Sequence, residues 1–355
     1  MLLTSLTLQN FRSYEKKQLT FSPKTTLILG PNGAGKTNIL EAIMMLAVGK
    51  SFRADRDREA IQWKKNVSHV TCHVSLGEEK IKLELVLTDG VAEGTKIPMK
   101  HYVVNGVPRR QVDFVGNLRA VLFWPEDLEL VTDSPSLRRR YLDSVLVQVD
   151  REYRRNLFSY ERGLRQRNRL LDFINEGKAH RHQLLFWDQL LIRTGSYLTD
   201  KRTQYLDFIN THNVSHITYH AHYDKSVISE SRLEQYKNEE VAAKATLVGP
   251  HRDDFIVQSK EHGQAKDDGF RDLSKFGSRG EQRLSVLWLK LAELSYIENE
   301  TGIRPLLLLD DILSELDSAH RAIVITVMSE QQTILTSADP DIIKGNSQQW
   351  QRIIL

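Results

Sequence analysis

The sequence has no long hydrophobic run and almost no cysteine. No stretch of about 18 apolar residues occurs, so no membrane span is predicted. The opening residues 1–6, MLLTSL, lack the basic start and continuous apolar stretch of a secretory signal. Cys72 is the single cysteine and cannot form an internal disulfide, and no cysteine–histidine group has zinc spacing. We therefore expect a cytoplasmic protein in which His251 and the histidines at 212–222 are ordinary polar residues.

The chain also has little net charge, so its charge distribution is more informative than its total. The formal net charge is +3 over 355 residues, of which 40% are hydrophobic, enough for a sizeable core. Ten arginines and only four acidic residues lie between Leu137 and Leu171. One interpretation is a solvated basic helix face. The other is a surface for a polyanion, with arginines on phosphates; the candidates are Arg138, Arg139, Arg151, Arg154 and Arg155.

The first third of the chain combines a strand–loop–helix pattern with alternating strands. Strands are predicted over residues 1–8 and Thr26–Leu29, and a helix over Lys36–Val48. Apolar residues alternate from Val70 to Leu76 and from Ile81 to Leu87, as in half-buried antiparallel strands, and Asn105-Gly106 is a hairpin-turn signal.

The middle of the chain has helical spacing. Apolar residues from Leu142 to Leu164 recur at steps of three and four, which predicts one long amphipathic helix starting at Ser134-Pro135. A second helical stretch covers residues 180–210. We divide the chain into a first part (residues 1–133), a helical lobe (134–240) and a last part that returns to the first (241–355).

A phosphate-loop pattern, G-x-x-x-x-G-K-[ST], follows the strand at Thr26–Leu29. Its glycines allow backbone N–H groups to point at phosphate oxygens, and the next helix directs its positive end at the same anion. Lys36 is expected to reach the β- and γ-phosphates of ATP, and Thr37 to ligate Mg²⁺. The predicted ATP-binding residues here are Gly30, Pro31, Asn32, Gly33, Ala34, Gly35, Lys36, Thr37 and Asn38.

A very apolar strand, Leu306–Leu309, ends in two aspartates, the Walker B arrangement. Asp310 is predicted to join the Mg²⁺ shell, and Asp311 to orient or deprotonate the attacking water. Together with Lys36 and Ser278, Asp311 is a predicted catalytic residue.

A third pattern, Ser278-x-Gly280-x-Gln282, precedes a helical run at Leu284–Leu294. It resembles the signature motif of ABC ATPases, in which a helix N-terminus faces the nucleotide held by a second subunit. Ser278, Gly280 and Gln282 are therefore predicted ATP contacts across a nucleotide-sandwich dimer. The alternative is a serine that only caps its own helix.

Two further segments have places in the same scheme. Residues 314–317, Ser-Glu-Leu-Asp, resemble the D-loop that crosses the dimer interface. Residues 336–339, Thr-Ser-Ala-Asp, lie where most ABC proteins have a switch histidine, and no histidine is present. Fast hydrolysis is therefore not expected.

Several segments, in order along nearly the whole chain, resemble the RecF family of bacterial DNA-repair ATPases. They are residues 8–14, 123–128, 134–139, 249–254 and 310–317. The resemblance implies an α/β fold of the ABC-type P-loop class: a mixed sheet, an antiparallel β subdomain and an inserted helical lobe. It also implies that Arg12 lies near the nucleotide phosphates.

The functional expectations that come from this resemblance are specific. They are a weak, Mg²⁺-dependent ATPase, an ATP-dependent homodimer, binding to single-stranded, duplex and gapped DNA, and RecA loading with RecO and RecR. Glu281 departs from the usual signature, and Asp311 replaces the glutamate of most ABC ATPases. The alternative is an ABC transporter ATPase subunit, which the long separation of Lys36 from Ser278 disfavours. The helical lobe is too short to be the long coiled coil of a chromosome-organising ATPase.

Overall fold

A computed structural model of the chain describes residues 1–92, 94–212, 217–261, 269–340 and 350–355. The chain divides into two compact units. The terminal unit comprises Met1–Asp127 and Glu293–Leu355, and the central unit comprises Leu128–Ala292.

The strands of the described residues are β1 (Leu2–Phe11), β2 (Tyr14–Thr20), β3 (Thr25–Leu29), β4 (Val67–Leu76), β5 (Glu79–Thr88), β6 (Val91–Ala92), β7 (Thr95–Lys96), β8 (Lys100–Val104), β9 (Val107–Arg109), β10 (Ala120–Phe123), β11 (Ile217–Asp224), β12 (Asp254–Glu261), β13 (Arg271–Asp272), β14 (Leu306–Asp310), β15 (Thr333–Ser337) and β16 (Gln351–Ile354).

The α-helices are α1 (Lys36–Val48), α2 (Gln111–Phe114), α3 (Glu129–Thr132), α4 (Pro135–Val149), α5 (Arg151–Asn175), α6 (Leu185–Asn210), α7 (Glu230–Gln235), α8 (Lys237–Ala243), α9 (Leu273–Phe276), α10 (Arg279–Thr301) and α11 (Ser318–Ser329). No helix among the described residues is long and apolar enough to cross a membrane.

The terminal unit contains an antiparallel and a parallel sheet. The antiparallel sheet has the order β2-β1-β4-β5-β8-β9, which confirms the alternating strands expected from the sequence. Asn105 and Gly106 both have positive φ, 50° and 78°, as a two-residue turn between β8 and β9 requires. The parallel sheet has the order β10-β14-β15-β3-β16. Its strand β14 is buried throughout, as the apolar run at Leu306–Leu309 predicts.

The parallel sheet brings the phosphate loop and the two aspartates to the same sheet edge. β15 pairs with both β14 and β3, so these three strands end side by side. α1 starts at Lys36 directly after the loop and packs ten buried residues into the core.

In the central unit, the region predicted as one long helix is broken at Asp150. α4 begins at Pro135 as expected, but Asp150 is extended, with φ −117° and ψ 110°. Its carboxylate accepts hydrogen bonds from the backbone N–H groups of Glu152 (2.7 Å) and Tyr153 (2.9 Å), so it caps a new helix, α5. The single-helix prediction is wrong because the apolar spacing continues across the cap, and periodicity does not detect one extended residue.

The central unit extends further along the chain than the helical lobe of residues 134–240. β12 pairs with β11 along its whole length, and β13 adds to β12. These ladders, together with the first half of α10, join residues 241–292 to the helices. The unit boundaries therefore differ from the sequence division, because cross-strand pairing is invisible in local composition.

A buried charge network holds the centre of this unit together. Arg202 donates hydrogen bonds to the carboxylates of Asp143 (2.8 Å) and Asp253 (3.1 Å) and to the carbonyl of Pro250 (2.6 Å). Gly249, Pro250 and Asp253 of the segment 249–254, which resembles the family, are buried in this core, whereas Arg252 is exposed. The two aspartates of the segment are paired with arginines, as buried charges must be.

Candidate functional site

The phosphate loop forms a backbone cradle with a lysine folded into it. Gly33 and Gly35 have left-handed φ values of 83° and 98°. The Lys36 ammonium donates to the carbonyls of Gly30 (2.7 Å) and Pro31 (3.1 Å), so a cation already lies in the loop. A Cβ on Gly35 would lie 2.7 Å from the Tyr14 hydroxyl, so no other residue fits there.

Both oxygens of Asp310 accept hydrogen bonds from threonine hydroxyls. Thr37 donates at 2.7 Å and Thr336 donates at 2.6 Å. Thr37 and Asp310 therefore meet as the sequence predicts, although they are far apart along the chain. Both provide oxygen ligands of the kind that Mg²⁺ prefers. Within the described ranges, no three His, Cys, Asp or Glu side chains form a metal-binding group.

Asp311 occupies a strained position directly after this carboxylate. Its φ of 54° lies in the left-handed region, which is uncommon outside glycine. Its backbone N–H donates to the carbonyl and the hydroxyl of Thr336, both at 3.2 Å. Burial raises the pKa of Asp311 above the ordinary 3.8, Lys36 opposes the shift, and Asp310 and Glu315 reinforce it. A raised pKa makes this carboxylate a stronger base toward water.

Arg12 forms a bidentate ion pair with Glu41 of α1. Its Nε and Nη2 donate to the two carboxylate oxygens at 2.8 and 2.6 Å, and its Nη1 donates to the carbonyl of Glu59 at 2.8 Å. Glu41 is fully buried. The Arg12 side chain is thus bonded to α1 through Glu41. The contact of Arg12 with phosphates stays a prediction.

Three contacts around the loop escaped the sequence interpretation. Tyr14 donates to the carbonyl of Ala34 at 3.3 Å, and Thr336 donates to Asp310 as described. Arg53 donates to the amide oxygen of Asn38 (3.1 Å), whose Nδ2 donates to Ser13. No local motif signals Arg53 or the bond from Thr336 to Asp310, although Thr336 itself lies at the predicted switch position. Tyr14 lies inside segment 8–14, which resembles the family.

Ser278 caps α10 through a reciprocal pair of hydrogen bonds with Glu281. The Ser278 hydroxyl accepts from the Glu281 N–H at 3.3 Å, and the Glu281 carboxylate accepts from the Ser278 N–H at 2.8 Å, a capping box. Arg271 pairs with the same carboxylate. Burial acts to raise the pKa of Glu281, but the bonds from Ser278 and Arg271 outweigh it and lower this pKa. The negative charge of Glu281 is therefore balanced by Arg271 within the central unit.

The other two predicted signature residues have different surroundings. Gln282 is buried and donates to the carbonyl of Leu273 at 2.9 Å. Gly280 is exposed, and a Cβ there would meet nothing closer than the Ser278 hydroxyl at 4.0 Å. The open part of the motif is thus the helix start at Ser278 and Gly280.

Segments 314–317 and 336–339 contribute hydrogen bonds, and neither contains a histidine. The Ser314 hydroxyl donates to the carbonyl of Asp311 at 2.7 Å, and Asp317 caps α11. The Ser337 hydroxyl bonds to the backbone of Asp339. Thr336, bound to both aspartates, occupies the position predicted for a switch residue.

The arginine-rich segment separates into buried and exposed members. Arg138 is buried and bidentate to Asp254 at 2.7 and 2.9 Å, Arg139 donates to the carbonyl of Asp253, and Arg154 donates to that of Val147. The prediction that Arg138 contacts phosphates is therefore wrong, because its guanidinium group is buried and paired with Asp254. Exposed side chains recur along one face of α5; we call this set the arginine stripe: Arg151, Arg155, Phe158, Arg162, Arg165 and Arg169.

The phosphate loop, the paired Thr37 and Asp310, and the parallel sheet that joins them define an ABC-type P-loop ATPase fold. The family model described as the RecF/RecN/SMC N-terminal domain matches residues 2–353. The chain belongs to the RecF family of DNA replication and repair proteins.

Individual relatives match this chain over nearly its full length. The chain is 35% identical to the DNA replication and repair protein RecF of Lachnoclostridium phytofermentans, covering 99% of this chain and 97% of that protein. It is 37% identical to RecF of Thermomicrobium roseum, covering 97% and 95%. A solved structure of the recombination mediator protein RecF-ATPrS in the RecFOR pathway superposes with a TM-score of 0.85 at 28% identity, covering 99% and 97%. This membership favours the repair interpretation over a transporter subunit.

Proposed function

We propose that this chain is an ATP-dependent DNA-binding protein of recombinational repair, and that Mg-ATP joins two copies into a dimer that holds DNA. The observation that carries the ATP part is the meeting of Thr37 with Asp310 beside a loop that already holds a lysine ammonium. Thr37 and Asp310 are the residues that would hold Mg²⁺, whose charge would offset that of the phosphates, and the Lys36 ammonium would donate to phosphate oxygens.

The dimer follows from the signature motif and the family resemblance. Ser278 and Gly280 lie exposed at a helix start, which suits an anion once the Glu281 carboxylate releases the Ser278 N–H. Lys36 holds the nucleotide of one copy, and Ser278 of a second copy completes that site. Hydrolysis is slow because Thr336 supplies a hydroxyl where a switch histidine would supply a charged group.

DNA binding is supported by the arginine stripe. Its five guanidinium groups lie on one exposed face of a 25-residue helix. Arginine binds phosphate oxygens in bidentate fashion, and release of counterions drives such contacts. We infer from the family that gapped DNA is the substrate, and that RecR, RecO and RecA act together with this protein.

The test of the ATP site is Lys36→Met, measured by calorimetry with Mg-ATP. The variant loses two hydrogen bonds to the loop and the charge that meets the phosphates, so tight binding should disappear. Lys80→Met, at an exposed position of β5, removes an equal charge and should bind normally. A folded Lys36→Met protein with wild-type affinity would refute the proposed site.

A further inference from the structure

Trp63 is the most exposed large hydrophobic side chain of the described residues, at 85% of its full accessible surface. It belongs to neither the nucleotide site nor the arginine stripe. A partner that covered this indole would bury a large apolar surface and so gain hydrophobic stabilisation.

The turn that carries Trp63, residues 62–65, is held in place on both sides. The N–H of Lys65 donates to the carbonyl of Gln62 at 3.0 Å, and the N–H of Gln62 donates to the carbonyl of Asn10 at 2.8 Å. The side-chain amide of Asn10 donates to the carbonyl of Val67 at 3.2 Å, beyond the turn. Lys64 takes a left-handed φ of 65°. The indole is thus presented by an ordered turn.

Lysines lie in this turn and along the groove next to it. Lys64 and Lys65 follow Trp63, and Lys65 borders a groove of about 550 Å³ lined also by Gln9, Asn10, Glu15 and Lys16. Glu15 pairs with Lys65 at 3.4 Å, but both side chains are exposed, and such a pair is weak. Two lysines and two side-chain amides therefore line an open groove, and a third lysine, Lys64, directly follows the tryptophan in the chain.

We propose that this surface binds single-stranded DNA: an unpaired base stacks on Trp63, and Lys16, Lys64 and Lys65 neutralise the neighbouring phosphates. Aromatic platforms combined with a positively charged groove are the general means of binding single strands. A paired base within a duplex has both faces covered by its neighbours, so only unpaired bases reach the indole. The inference rests on the DNA binding proposed above and specifies which part of a gapped substrate this surface contacts.

The cations favour nucleic acid over an acidic protein as the occupant. Protein interfaces are enriched in arginine and depleted in lysine, whereas every cation here is a lysine. The amide of Gln9 adds hydrogen-bonding groups suited to phosphate, sugar or base edges.

The experiment compares Trp63→Ala, Trp63→Tyr and the wild type in the full chain with Mg-ATP. Affinities are measured for an oligo-dT strand and for a blunt duplex across a salt titration. Trp63→Ala should lose roughly 5- to 150-fold in affinity for the single strand and less than about 2-fold for the duplex. Trp63→Tyr should recover most of the loss, because tyrosine also stacks. Phe186→Ala removes a similarly exposed aromatic from α6 and serves as the control.

The salt dependence separates stacking from charge. Trp63→Ala should leave the slope of log affinity against log salt unchanged, whereas Lys16→Gln should reduce it by about 0.7 for the single strand. Normal single-strand binding by Trp63→Ala, or equal losses of affinity for both DNAs, would overturn this inference but leave the proposed function standing. A wild-type protein that binds no DNA would overturn both this inference and the proposed function. A Trp63→Ala defect limited to a protein complex would assign the surface to a protein.

Discussion

At the residue scale, Asp310 and Asp311 are neighbours with different surroundings. Asp310 is buried with both oxygens occupied by hydroxyl donors, which suits a metal ligand. Asp311 is half-buried, and burial raises its pKa. The sequence predicts both roles from position alone. It does not predict the Thr336 hydroxyl that donates to Asp310, because no local pattern connects β15 with β14.

Asp311→Asn should bind Mg-ATP but fail to activate water. The protein should then accumulate as an ATP-bound dimer with prolonged residence on DNA, seen by light scattering and dissociation rates. Asp310→Asn is the contrasting variant and should lose Mg²⁺-dependent binding, because it removes the predicted metal ligand. A monomer in both cases would show that Asp311 has a structural role or that the sandwich dimer is wrong.

His251 makes the central unit sensitive to acid. Its Nε2 lies 3.0 Å from the carbonyl of Thr246 and therefore donates, so Nδ1 accepts from the Tyr160 hydroxyl at 2.7 Å. Burial lowers the pKa of His251 to about 4, with nearby arginines adding to the effect. As the pH falls, His251 becomes protonated near pH 6.5 in the unfolded chain but only near pH 4 in the folded chain.

Stability from neutral His251 is therefore complete above pH 6.5 and is lost as the pH falls toward 4, by up to about 3 kcal/mol. Urea unfolding of the wild type and of His251→Gln at pH 7 and pH 4.5 checks this. The wild type should lose more stability than the variant, since all other groups titrate in both. Equal losses would contradict the assignment.

At the element scale, Asp150 shows where sequence periodicity fails. The helices themselves were predictable from apolar spacing, but their junction depends on one carboxylate that caps α5 and accepts a hydrogen bond from Tyr197 at 2.8 Å. An aspartate at the N-cap and a glutamate in the first turn are helix-start signals that an interpretation based on hydrophobic spacing overlooks.

The arginine stripe belongs to the same scale because its members act together. Changing Arg162 and Arg165 to glutamate should weaken duplex binding and reduce the salt slope by about one unit per lost phosphate contact. Both side chains are exposed, so the fold should survive. Lys80→Glu on β5 is the control for a charge reversal elsewhere. An unchanged slope would assign the stripe to solvent or to a protein partner.

At the scale of the whole molecule, the sharpest prediction concerns sites shared between two copies. Ser278→Arg should leave nucleotide binding by the single chain nearly normal but block dimer closure. When the Ser278→Arg and Lys36→Met proteins are mixed, each mixed dimer has one site with both substitutions and one site with neither. Dimerisation and some ATPase activity should therefore return.

The control for this mixture is Ser278→Ala. Both Ser278 variants lose the cap hydroxyl that Glu281 binds, at a cost of about 1 kcal/mol. Only the arginine adds bulk and charge, so Ser278→Ala should still dimerise. If mixing restores nothing while all proteins are folded and the wild type dimerises, each site is complete within one chain.

The parallel sheet of the terminal unit also determines when the nucleotide site can first exist. β3 ends just before the phosphate loop, but its partners β15 and β16 and the strand that carries Asp310 are synthesised much later. At about 5–20 residues per second, the wait on the ribosome lasts on the order of 15–60 s. The antiparallel sheet and the central unit can fold meanwhile. A nascent chain stopped before Leu306 would therefore contain the entire phosphate loop and still be unable to recognise ATP with Mg²⁺.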